Sequence, residues 1–306
     1  MSSIATTTFP YPPLPVGVDA LRILILQPGD FSDPIKCTLT PAAFSMKPKY
    51  LALSYTWRDS YPDNSELPIG RFPDKKKKGV DAAIDVNDIP FYVRHNLRLA
   101  LLHLRSPTQP LPIWADAICI NQADTQERNA QVAIMSFIYM RALKVVTWLG
   151  VKDYGKRHLN PFHGMAMDWK AGQTRHLPTI VAASQDRQHC YSLEPDHATF
   201  ARIVQSAYWP RLWIVQEVCL PRQLVVVYGS KMWKYEDLCQ WDVLLKVRTS
   251  SISAEISPSA VTAGENANDP GIGIGAMIRL LDARDARHTS STVLERLIET
   301  FAKSAC

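Results

Sequence analysis

Residues Leu111–Gly150, LPIWADAICINQADTQERNAQVAIMSFIYMRALKVVTWLG, decide the fold. Leu111–Ala117 is an apolar run of the length of a buried strand. Asp124 followed by Glu127 predicts a helix start. The first carboxylate accepts from N–H groups that the opening turn leaves unbonded, and the second reaches back. The helix continues to about Ala142, with Val132, Met135, Ile138, Tyr139 and Ala142 on one apolar stripe. Lys144–Leu149 is the next strand, closed by Gly150. Strand, helix and strand in this order argue for an α/β fold with a largely parallel central sheet flanked by helices. Ligands bind such sheets beyond the carboxyl ends of the strands. Two polar clusters are expected there: Thr56-Trp57-Arg58-Asp59, and Asp116 with Asn121 and Gln122.

Outward from this unit, Arg22–Leu26 and Tyr50–Tyr55 read as strands, and Asp81–Val93 as a hairpin turning at Asn87-Asp88. Val93–Leu104 places Leu97, Ala100, Leu101 and Leu104 on one helical face, and Pro107 and Pro110 end it. Thr199–Ala207 has a helical pattern. Leu212–Val218 reads as the start of another helix or a buried segment, and Gln223–Tyr228 as a strand. The plan is an extended proline-rich arm over 1–19, a main domain over 20–245 with an insertion at 151–197, and a linker or disordered loop over 246–275. A C-terminal helical segment, 276–306, follows, its helix at Ala276–Ala283 or Thr292–Lys303.

With 306 residues, 46% hydrophobic and 21% charged, the chain has the composition of a folded globular protein. A net charge of +5 is mild. Part of it lies in Lys75–Lys78, which reads as a solvated loop tip, with a phosphate-binding patch as the alternative. Nucleic acid is not an expected partner. The six cysteines form no CxxC pair and are irregularly spaced, which favours a reducing compartment over a disulfide framework. Cys119 and Cys219 sit among apolar residues as small core fillers. No apolar run reaches membrane-spanning length, and no secretory signal opens the chain. The cytoplasm is the default location.

Four places could carry chemistry. Gly271-Ile-Gly-Ile-Gly275 lacks the preceding strand and the spacing of a dinucleotide loop, so a linker explains it better. Glu217 lies in an otherwise apolar stretch, Leu212–Leu220, where a carboxylate is costly unless partnered or protonated. Such costs are tolerated at functional sites, and a structural pair with Arg211 or Arg202 is the alternative. Asp116 sits at a strand end, where it could accept backbone N–H groups of the following loop. Of the tryptophans at strand and loop boundaries, Trp57 and Trp213 are candidates for stacking on a base or nicotinamide ring.

These residues together resemble the fungal heterokaryon-incompatibility (HET) domain. The likeness runs through Arg22–Leu26; Tyr50, Ala52, Leu53, Ser54, Tyr55, Trp57 and Asp59; and Trp114 with Asp116–Gln122. It continues through Asp124, Glu127, Arg128, Gln131, Val132, Met135, Ile138, Tyr139 and Ala142 to Val145 and Trp148–Gly150. Trp209, Arg211, Trp213, Gln216 and Glu217 complete it, so it spans roughly residues 20–240. Arg58 stands where the family usually has glycine.

The resemblance implies a role in non-self recognition and programmed cell death when incompatible hyphae fuse. It also implies a fold similar to Toll/interleukin-receptor (TIR) domains, that is, TIR-like or flavodoxin-like. Some TIR domains cleave NAD with a glutamate in a W-x-x-x-E setting, and Trp213-Ile-Val-Gln-Glu217 has that spacing. On this reading Glu217 is the catalytic carboxylate of an NAD glycohydrolase assembled by self-association. Ser54, Tyr55, Trp57, Arg58, Asp59, Asp116 and Trp213 then bind the substrate. No cofactor is required, NAD being the substrate, and a homo-oligomer and an incompatibility partner protein are the expected partners. The alternatives are a non-enzymatic death-signalling module and an inactive regulatory relative.

Overall fold

The computed structural model describes residues 9–57, 82–151, 167–168, 173–174, 197–209, 211, 214–234, 238, 280 and 283–284. The chain forms β1 (Ala20–Leu26), β2 (Lys36–Ala43), β3 (Leu51–Tyr55), β4 (Ala82–Val86), β5 (Ile89–Val93), α1 (His95–Leu104) and β6 (Leu111–Trp114). Then come α2 (Asp116–Cys119), α3 (Thr125–Ala133), α4 (Met135–Arg141), β7 (Lys144–Trp148), the two-residue strands β8 (Met167–Asp168) and β9 (Gln173–Thr174), α5 (His197–Val204), α6 (Ile214–Cys219), β10 (Leu224–Tyr228) and β11 (Lys231–Lys234).

One nine-stranded sheet runs in the order β11-β10-β7-β3-β6-β1-β2-β4-β5. Its centre is parallel: β10 pairs with β7, β7 with β3, and β3 with β6. β1 is antiparallel to both β6 and β2, and the edges close with the antiparallel pairs β4–β5 and β10–β11. The expected α/β architecture with a parallel core is therefore present, flanked by antiparallel strands. β3 and β7 are buried along their whole length, as befits strands covered on both faces. From β3 the chain passes to β6 on one side, and from β6 it returns across β3 to β7 on the other. Such a reversal opens a crevice at the carboxyl ends of the central strands.

The local signals explain most elements. Asn87 and Asp88 have φ of 53° and 62°, the left-handed pair that a two-residue hairpin turn needs and that Asn and Asp tolerate best. Leu97, Ala100, Leu101 and Leu104 of α1 are buried as expected. Asp124 caps α3, accepting from the N–H groups of Gln126 and Glu127 at 2.9 and 3.0 Å. Trp114, Trp148, Trp209 and Trp233 fill the core, as do Cys119 and Cys219. No helix among the described residues is long and apolar enough to cross a membrane.

Three expectations need correction. The run Leu111–Ala117 is strand only to Trp114; Asp116 opens the short helix α2 instead. The helix after Asp124 is not continuous to Ala142, because Ile134, at φ −102° and ψ 4°, separates α3 from α4. Glu127 does not reach back to Asp124. It accepts the Asn121 N–H at 2.7 Å and holds buried Arg22 of β1 through bonds of 2.5 and 2.8 Å. Burial pushes the Glu127 carboxyl up, but these hydrogen bonds outweigh it and leave its pKa below the ordinary value.

Candidate functional site

The sheet delivers a polar cluster to the carboxyl end of its parallel centre. β3 and β7 each carry one hydroxyl residue at the fourth position of an apolar run, Ser54 and Thr147, and the register sets them side by side. α6 packs against β7 and α4 and brings Glu217 over this pair. Ser54 Oγ donates to Glu217 Oε2. Its single proton is then used, so Tyr208 OH, 2.5 Å away, must donate to Ser54. By the same count Thr147 donates to Tyr208 OH at 3.2 Å. The result is a directed chain, Thr147 to Tyr208 to Ser54 to Glu217, with every member buried.

Arg211 closes the cluster from the other side. One guanidinium nitrogen donates to Glu217 Oε1 at 3.3 Å and the other to the Tyr55 carbonyl, the last of β3, at 2.7 Å. Its Cζ lies 5.4 Å from the Tyr208 ring centre. Glu217 is only 3% exposed. Burial pushes its pKa up; Arg211 and the Ser54 hydroxyl pull it back without cancelling the rise. Glu217 in turn holds Arg211 firmly charged against the burial that opposes it.

A second group lies at the ends of β3 and β6. The Trp57 indole N–H donates to Asp116 Oδ2 at 2.9 Å, and the Ala117 N–H donates to Asp116 Oδ1 at 2.7 Å. The Tyr55 hydroxyl lies close to the same carboxylate. Burial raises the Asp116 pKa, and these three groups lower it in part. Asn96 of α1 fixes the chain between the two groups. Its amide donates to Thr56 O at 2.8 Å, and its carbonyl accepts from the Trp148 indole at 2.9 Å. A cleft of about 200 Å³ opens here, with Tyr55, Trp57, Tyr92, Arg94, Leu97 and Gln122 in its wall.

The structure thus gathers Ser54, Tyr55, Trp57, Asp116 and Glu217 at one end of the sheet. Arg58, Asp59 and Trp213 lie outside the described residues. Ser54 and Glu217 belong to a closed polar cluster, whereas Tyr55 and Trp57 face the cleft, and Glu217 is not among the residues that line it. Tyr208, Thr147 and Asn96 were missed in the sequence. The matching hydroxyl positions in LALSY and KVVTW were the available signal for Thr147; Tyr208 and Asn96 carry none, since their partners, such as Ser54 and Thr56, lie 154 and 40 positions away. Chemically, the cluster can hold a charge and relay a proton. The carboxylate itself is 3% exposed, with Ser54 and Arg211 on its two oxygens.

Residues 50–217 match the family described as heterokaryon incompatibility protein (HET). The chain is similar to heterokaryon incompatibility protein 6, OR allele, of Neurospora crassa, with 30% identity over 242 residues covering 69% of this chain and 33% of that protein. It therefore spans about a third of the length of that curated relative. No solved structure matches the chain.

Proposed function

The chain belongs to the heterokaryon incompatibility family, and from that premise we propose that it acts in fungal non-self recognition as a signalling module that leads to cell death. The observation that carries the module reading is the state of Glu217. The carboxylate is 3% exposed, and both of its oxygens are taken, one by Ser54 and one by Arg211. A carboxylate that stabilises a ribosyl cation must face the anomeric carbon and the sugar hydroxyls. Here protein groups fill those positions. Such a cluster fixes α6 to the ends of β3 and β7, a structural role that a signalling module calls for and that needs no bound substrate.

NAD hydrolysis is the second reading. It is favoured by the placement of Glu217 at the carboxyl end of the parallel strands, with Tyr55 shared between its cluster and the cleft. Self-association would then have to swing Arg211 away and open the carboxylate to substrate.

One experiment separates them. The purified chain, dilute and artificially oligomerised, is given NAD and nicotinamide is measured, alongside growth arrest in a fungal host. The module reading expects no nicotinamide above the blank, and growth arrest that persists in Glu217→Gln. Nicotinamide release that vanishes in a folded Glu217→Gln protein would overturn it in favour of hydrolysis.

A further inference from the structure

We infer that the cleft at the carboxyl ends of β3 and β6 binds a small planar aromatic ligand that carries an anionic group. Its volume of about 200 Å³ lies below the roughly 300 Å³ at which pockets for drug-sized ligands begin. It has room for one ring system with a short substituent.

The walls select a ring. Trp57 is 39% exposed and Tyr92 65% exposed, although the other described tryptophans are buried in the core. Both line the cleft, above a floor made by buried Tyr55 and Leu97. Aromatic rings at a concave mouth offer flat faces for offset stacking. The Trp57 ring is also held in place before any ligand arrives, since its N–H is tied to Asp116 and Asp116 is tied to the α2 backbone. A fixed ring loses little freedom on binding.

The walls also select a charge. Arg94 is exposed at the mouth and makes no ion pair among the described residues. Among the described residues, no carboxylate lines the cleft. The Asp116 carboxylate, which holds the Trp57 ring, already accepts from Trp57 and Ala117. Gln122 is oriented by its own bond to the Asp116 carbonyl, 2.9 Å, and keeps its amide oxygen for a ligand donor. An unpaired guanidinium beside two rings suits a carboxylate or phosphate attached to an aromatic system, and can stack on that system as well. A nucleoside monophosphate and a free aromatic acid share this chemistry. Because Glu217 does not line the cleft, the inference stands whether or not Glu217 is catalytic.

The test is titration calorimetry on the full chain at low salt with three probes: AMP, adenosine and benzoate. Binding of AMP or of benzoate is expected, with adenosine about tenfold weaker than AMP. AMP without benzoate identifies the nucleotide as the source of the chemistry; benzoate without AMP identifies the aromatic acid. Arg94→Gln should abolish the gap between AMP and adenosine, and Tyr92→Ala should weaken every bound probe about tenfold. Both side chains are exposed, so the fold should survive, and thermal unfolding checks this. The inference is overturned if neither anion binds, if adenosine binds as well as AMP, or if both folded variants bind like the parent.

Discussion

Glu217 shows what a single residue can disclose. A carboxylate inside an apolar run must be paired, and Arg211 six positions earlier is the pair it finds. Ser54 and Tyr208, which complete the cluster, could not be named from that run. Removing Arg211 leaves a buried carboxylate without its counter-charge, so Arg211→Ala should cost about 3 kcal/mol in denaturant unfolding. The raised pKa of Glu217 has a second consequence. The folded protein holds this proton to higher pH than the unfolded chain does. The group's stabilising contribution is therefore complete below the ordinary carboxylate range and is lost as pH rises through the folded value. Glu217→Gln lacks this dependence. Its stability relative to the parent should improve as urea unfolding is followed from pH 4 to pH 8, and a constant difference would exclude the elevated pKa.

At the scale of elements, the start of α3 was legible and its extent was not. Asp124 caps as its position predicts, and Asp124→Ala should cost about 1 kcal/mol. Glu127 lies one turn further on, yet its carboxylate leaves the helix for Arg22, which is 2% exposed in β1. Glu127→Ala should therefore cost more than the cap variant, about 3 kcal/mol, because Arg22 is left charged in the core. Thermal unfolding of the two variants side by side measures the order. The break at Ile134 has no glycine or proline behind it. Gln131 donates to the Ala20 carbonyl at 2.9 Å and commits α3 to β1, while Ile138 and Tyr139 of α4 sink into the core. Helical periodicity is blind to such a division, because both halves keep it.

Across the whole molecule, residues far apart in the chain lock the same helix. Arg284 donates to the carbonyls of Val218 and Pro221 at 2.8 and 2.7 Å, and so closes the carboxyl end of α6, the helix that carries Glu217. Cys219 adds a bond to the Leu280 carbonyl. Arg284→Met should leave the central strands protected in hydrogen exchange and raise exchange in α6 about tenfold, the loss of a net hydrogen bond or so. Taken alone, the sequence determined the family likeness, the α/β class and the central strands and longer helices, though not β2, β11 or α2, because motifs, periodicity and turn residues act over a few positions. The tertiary structure alone decided that β1 enters the sheet antiparallel, that Ser54 meets Glu217 across 163 positions and Tyr208 across 154, and that the cleft lies beside the buried carboxylate rather than over it. Those outcomes follow from strand order and register, which bring distant polar atoms together in a dry interior where each must find a partner.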